Sequence, residues 1–219
     1  MPKEALMHRR TPWLAFLWTL FVLYPNPTAL FVSIPQAWSP VIDPEAVQEL
    51  AATLPDDPRA IEAAVNSSIV PYAVPWQTYG VPWYFPTTRE VLAAGRGDCQ
   101  GRAVVLASLL RVKGVPATLV GSFDHLWVDY PGKHANALEN QAVAIAAQQP
   151  DGSYQMRWPQ LMQWRESWAI ERAYFLDAMP WGRRLLLVAG WLVLGALSTR
   201  SVRRLFETLR TIAHRPATA

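Results

Sequence analysis

The sequence predicts an α+β domain framed by two apolar helices that cross a membrane. Three observations carry this reading. Between Asp43 and Ala178, helix caps and turn signals alternate with short β-rich runs. An apolar run lies on each side of that stretch. The charges also segregate. Residues 43–182 hold 15 of the 17 acids and 10 of the 20 bases, while the two ends hold the other 10 bases and only Glu4 and Glu207. A chain that is 51% apolar and 17% charged is no disordered chain. A nucleic-acid binder would carry its basic patch on the folded part. Here the bases flank apolar runs, which points to a membrane partner and away from nucleic acid. With one cysteine, the chain has no intrachain disulfide and no cysteine-rich zinc site. It has no phosphate loop or dinucleotide fingerprint either, so no cofactor and no metal is expected.

From Thr11 to Ile42 there is no Asp, Glu, Lys or Arg. Lys3, Arg9 and Arg10 precede the densest part, Trp13 to Tyr24. Trp13 to Ile34 supplies the roughly 20 apolar residues of a span, although Pro25 and Pro27 interrupt it. No small-residue cleavage site follows, so residues 1–40 read as an uncleaved membrane anchor rather than a signal peptide. The second run, Leu185 to Thr199, is short for a span. Arg183, Arg184 and Arg200 can snorkel from its ends, and Trp181 can sit at the interface. Residues 181–219 therefore read as a second transmembrane helix with a basic tail. Positive charge stays inside. Both termini are thus expected in the cytoplasm, and the domain over 41–180 outside it.

Within that domain, Asp43-Pro44 and Asp57-Pro58 each set a capping side chain before a proline at the first helical position, opening helices near 44–54 and 58–66. Thr87 with Glu90 forms a capping box, and Gly95 closes that helix. Asp98 caps a stronger helix over 99–113. Strands follow at 117–121 and 125–130, ending in the turn Pro131-Gly132. Residues 143–158 read as a hairpin and 160–178 as an amphipathic helix. Between the early helices and the capping box, Pro71, Pro75, Pro82 and Pro86 oppose regular structure. Six aromatics there (Tyr72, Trp76, Tyr79, Trp83, Tyr84, Phe85) are suited to line a groove or to pack a loop.

Cys99 is the first residue of its helix. The unpaired N–H groups of that turn favour a thiolate and can hold an oxyanion. A lone thiol outside the cytoplasm is a liability unless it is used. Of the four histidines, His8 and His214 lie on basic tails and His134 follows a turn. His125 opens an alternating strand, where Trp127 can pack on its ring and Asp129, about 13 Å away, is too far to orient it.

Residues 95–133, GRGDCQGRAVVLASLLRVKGVPATLVGSFDHLWVDYPGK, resemble the core of the transglutaminase-like superfamily. The matching features are Gly97-x-Cys99, then Leu109, Leu110, Arg111, Gly114, Val115, Pro116 and Ala117, then His125, Trp127, Val128 and Asp129. The resemblance implies a papain-like fold: a helix bearing Cys99 packed on an antiparallel sheet bearing His125. It also implies a Cys-His-Asp triad, with Cys99 as nucleophile and His125 as base. Bacterial members are commonly proteases or amidases, which implies a bacterial inner membrane and a periplasmic catalytic domain.

The family's Asp falls late on the strand after His, and no Asp lies between Asp129 and Asp151. A return strand after Pro131-Gly132 offers Asn136, Glu139 and Asn140, and the loop length selects among them. Glu139 is preferred, because a carboxylate stabilises imidazolium best. Gln77, Tyr79 and Trp83 are candidates for a second oxyanion donor. The expected function is a membrane-anchored cysteine hydrolase or acyl transferase acting on peptide or protein amides. The alternative is a non-catalytic module that binds peptides or scaffolds a membrane complex.

Overall fold

The computed structural model describes residues 3–134, 136–148, 153–161 and 163–213. In chain order the helices are α1 (Lys3–Leu23), α2 (Thr28–Trp38), α3 (Gln48–Ala52), α4 (Pro58–Ala64), α5 (Pro75–Thr78), α6 (Thr88–Ala94), α7 (Cys99–Val112), α8 (Trp164–Glu171) and α9 (Trp181–Ala213). The strands are β1 (Thr118–Gly121), β2 (Leu126–Asp129), β3 (Ala146–Gln148) and β4 (Tyr154–Met156). Two compact units result. One is built from the chain up to Pro27 and from Met179 onward, the other from Thr28–Ala178.

In the first unit α1 and α9 pack antiparallel. The Trp18 indole N–H donates to Leu186 O at 3.1 Å, and one turn along α1 the Arg183 guanidinium donates to Val22 O at 2.7 Å. The indole lies so close to α9 that a Cβ on Gly190 would sit 1.9 Å from it, so only glycine fits there. Two spans were expected. Among the described residues only one helix is long and apolar enough on its own, through Trp181–Ser198. The N-terminal run is broken between Leu23 and Thr28, where Pro25 and Pro27 lie, and its two pieces reach span length only when taken together.

The second unit is a mixed helical and antiparallel-sheet fold centred on α7. Every residue from Ala103 to Leu110 is buried, so α7 has no solvent face. Val47, Ile61, Val65 and Val91 pack with it from the helical side, and Leu119 and Val128 from the sheet. The caps explain where the helices start. Asp57 accepts from the Arg59 N–H at 3.3 Å with Pro58 in the first turn, Thr87 and Glu90 close a reciprocal capping box, and Gly95 ends that helix at φ +62°.

Three helices depart from expectation. Asp43-Pro44 leads into a 3₁₀ turn, Glu45–Val47, before the short α3. Helix α4 widens into a π turn, Val65–Ile69, where the Ser67 and Ser68 hydroxyls donate back to Ala63 O and Ala64 O and compete for those carbonyls. The last expected helix is α8 followed by a second π turn, Arg172–Asp177.

The sheet order is β2-β1-β3-β4, all antiparallel. β1 and β2 form a hairpin with Thr118 opposite Asp129 and Gly121 opposite Leu126. β3 and β4 form the expected second hairpin, whose turn lies outside the described residues. Among the described residues no return strand pairs beside β2. The chain after Gly132 is taken up in turns held by asparagine side chains, and the free edge of β1 pairs with β3 instead.

Candidate active site

Cys99 sits where the sequence caps a helix. The Asp98 carboxylate, 2% exposed, accepts from the Gly101 N–H at 3.0 Å and so fixes the first turn of α7. The lead-in is clipped to the proline-rich loop by a parallel bridge, with the Gly97 N–H donating to Pro71 O and the Ala73 N–H to Gly97 O. A Cβ on Gly97 would press on Val70 at 3.2 Å, and one on Gly101 on Val91 at the same distance. Both glycines therefore serve close packing behind the cysteine.

Cys99 and His125 line one cavity of about 540 Å³ in the second unit. Its walls include Tyr72, Trp83 and Phe85 from the proline-rich loop, Phe123 and Asp124 from the β1–β2 loop, and Glu171, Tyr174 and Phe175 from the end of α8. Of the six aromatics expected to line a groove, three do so. Trp76 is buried and donates to Phe175 O at 2.9 Å, while Tyr79 stacks on Tyr84 with centroids 4.4 Å apart. The loop also carries one helical turn, α5, entered through Pro75 in its first turn. Gln77 and Tyr79 do not line the cavity. Trp83 does, but its indole N–H donates to the Gln100 amide at 2.9 Å. None of these three side chains supplies a free oxyanion donor.

His125 lies one residue before β2, at the end of the hairpin loop. Its backbone N–H donates to the Ser122 hydroxyl at 3.1 Å, and its ring stacks on Trp127, with centroids 6.2 Å apart and planes 14° apart. The His125 Nε2 is 2.9 Å from the Glu139 carboxylate. That leaves Nδ1 as the nitrogen free for chemistry. Glu139 arrives from a turn and not from the register of a return strand. Asn136 builds the turn: its side-chain oxygen accepts from the Leu138 and Glu139 N–H groups at 2.9 Å, and its amide donates to Glu139 at 3.2 Å. Asn140 donates to Asn136 O and Ala137 O. Both asparagines thus brace Glu139, and neither of them bonds to His125.

Sequence reasoning missed what lies behind Glu139. Lys133, 5% exposed, bonds to Glu139 at 3.0 Å and to Glu62 on α4, and Glu62 also accepts from the Tyr130 hydroxyl. Burial pushes the Glu139 carboxyl up, but His125 and Lys133 outweigh it and hold the group at about 2. A lysine next to a Pro-Gly turn carries no sequence signal that it will be buried.

The thiol departs from expectation. Burial, and after it the Asp98 charge, push Cys99 up to about 12, against the opposing pull of nearby backbone N–H groups. That direction favours a resting thiol over the expected thiolate, because burial outweighs the helix tip that favours charge on sulfur and the Asp98 carboxylate adds to the push. Among the described residues no cluster of His, Cys, Asp and Glu has the makings of a metal site.

The family model of the transglutaminase-like superfamily matches residues 46–151, which include Cys99, His125 and Glu139. No curated protein and no solved structure matches the chain.

Proposed function

The chain carries a transglutaminase-like core over residues 46–151, and from that premise we propose a cysteine hydrolase or acyl transferase acting on amide bonds. The observation that carries the reading is the pairing within one cavity: Cys99 at a helix tip shares it with His125, whose far nitrogen is held by Glu139. Because the resting sulfur is protonated, His125 acts as general base during attack and not as half of a standing ion pair. The sulfur proton passes to His125 Nδ1 as sulfur bonds to the substrate carbonyl carbon. N–H groups of the first turn of α7, other than that of Gly101, which Asp98 holds, donate to the developing oxyanion. The imidazolium returns its proton to the leaving amine, and the thioester stays on Cys99. Water resolves it in a hydrolase, a second amine in a transferase, with His125 again taking the proton. Glu139 steadies the imidazolium at both stages.

Among the described residues the cavity is lined by Asp124 and Glu171 and by no lysine or arginine, which favours neutral or cationic substrates over acidic ones. The antiparallel pairing of α1 and α9, with bases at both chain ends, supports a membrane anchor with both termini on the cytoplasmic side and the catalytic unit outside. A bacterial inner membrane with a periplasmic active site fits that arrangement. The raised thiol favours a second reading, a non-catalytic module that binds peptides.

An activated ester such as p-nitrophenyl acetate separates the two. Mass spectrometry of the full chain should find the acyl group on Cys99 and not in Cys99→Ser, and His125→Ala should slow acylation by about 10²–10⁴-fold. Acylation that ignores His125, or none at all, would favour the binding module. Adding a primary amine to the acylated protein then distinguishes transfer from hydrolysis.

A further inference from the structure

The family match ends at residue 151, yet the wall of the cavity that holds Cys99 and His125 includes Glu171, Tyr174 and Phe175 beyond it. Tyr174, in the π turn after α8, reaches back to the first turn of α7, where its hydroxyl donates to the second oxygen of Asp98. The first oxygen caps the Gly101 N–H. Both oxygens of a nearly fully buried carboxylate are thus occupied, one by the helix that bears the nucleophile and one by the cavity wall. The turn itself is pinned, since Phe175 O accepts from the Trp76 indole at 2.9 Å. π turns are costly and concentrate at functional sites. This one turns Tyr174 and Phe175 together into the cavity.

We propose that Tyr174 is a positioning residue for Cys99, holding the Asp98 carboxylate in its cap and so fixing both the first turn of α7 and a negative charge beside the sulfur. The inference rests on the catalytic reading of Cys99 and His125 and extends it to a segment outside the family match. The other charged or titratable groups facing this region are Tyr72 and Tyr79 from the proline-rich loop, Arg102 one turn along α7, His125, and Asp124 and Glu171 in the cavity wall. The Arg102 guanidinium sits 5.2 Å over the Tyr72 ring and donates to Val70 O and Asn66 O, so it is committed to the loop. Burial pushes the Asp98 carboxyl up, and the Tyr174 hydroxyl and the Gly101 N–H oppose that push and favour its charged form beside the sulfur.

The test is the rate of iodoacetamide labelling of Cys99 against pH in the detergent-solubilised full chain. Asp98→Asn keeps an oxygen to cap the helix and removes the charge, and labelling near neutral pH should rise about tenfold, equivalent to about one pKa unit. Tyr174→Phe keeps the ring in the wall and removes the donor to the carboxylate, so Asp98 holds a proton more readily. Its labelling profile should move the same way by a smaller step. That step should vanish when Tyr174→Phe is made in the Asp98→Asn background. Profiles of Asp98→Asn or Tyr174→Phe superimposable on wild type would overturn the proposal, whatever happens to thermal stability. An equal Tyr174→Phe step in both backgrounds would overturn it too. The His125→Ala acylation rate is read alongside. If it is unchanged, the catalytic reading fails. If it drops while the Tyr174 and Asp98 arms fail, this inference fails alone.

Discussion

Replacing Glu139 by Gln removes one charge from a buried row and keeps the side chain's shape. The wild-type carboxyl is held at about 2 against an ordinary 4.5. At about 1.4 kcal/mol per pKa unit that corresponds to ~3 kcal/mol of preference for the charged form. The side chain is 19% exposed, so solvent screening brings the expected contribution to ~2 kcal/mol. The sign follows from linkage. The folded carboxyl lies below its unfolded value, so its contribution is complete above pH ~5 and is lost as pH falls from there toward 2. Glu139→Gln has nothing to titrate at this position. Urea unfolding of the full chain should therefore show wild type ahead by ~2 kcal/mol at pH 7, with the gap closing between pH 5 and 3. Turnover of an amide substrate should fall by about 10²–10⁴-fold, since the imidazole loses the group that orients it. A stability gap that is the same at pH 7 and pH 3 would refute the charge argument. Turnover within a factor of two or three of wild type would remove Glu139 from the mechanism.

Lys133→Met leaves Glu62 and Glu139 facing each other without their shared cation, and should cost ~3–5 kcal/mol in urea unfolding at pH 7, with partial recovery at lower pH. Gly190→Ala drives a methyl into the Trp18 indole, so the solubilised chain should lose ~1–3 kcal/mol, and Trp18→Leu in the same chain should restore most of it. Reporter fusions placed after Tyr84 and at the C-terminus should give an outside and an inside signal respectively. A cytoplasmic signal at Tyr84 would invert the topology.

Local chemistry was legible in the sequence, and long-range pairing was not. Asp98, Thr87 with Glu90, and Gly95 announce helix ends because a cap needs only residues within one turn. The hairpin of β1 with β2 follows from adjacent β-rich runs. The partner of β1's other edge is β3, about 25 residues on, and no local signal distinguishes that pairing from a return strand after Pro131-Gly132. The carboxylate chemistry that singles out Glu139 needs no register, and Glu139 does lie beside His125, held there by a turn and not by the expected return strand. Lys133, Glu62 and Tyr174 were invisible for the same reason. Lys133 and Glu62 acquire their role only when α4 meets the turn before Glu139, and Tyr174 only when the segment after α8 reaches the first turn of α7. The raised thiol was a matter of competition: the helix tip was foreseen, and the burial that outweighs it was not.

The row behind His125 has an odd charge count. Two carboxylates, Glu62 and Glu139, share a single lysine, Lys133, so the row holds one acid more than it holds bases. In the proposed mechanism a proton lifted from sulfur onto His125 makes the count even. Seen from the interior of the protein, that proposed first step moves the set toward electrical balance, and the charge left over ends at the helix tip, on the substrate oxygen. The same parity gives the row a direction. On the proposed mechanism a proton arriving from Cys99 meets carboxylates already held in place by Lys133, and its return to the leaving amine restores the original count.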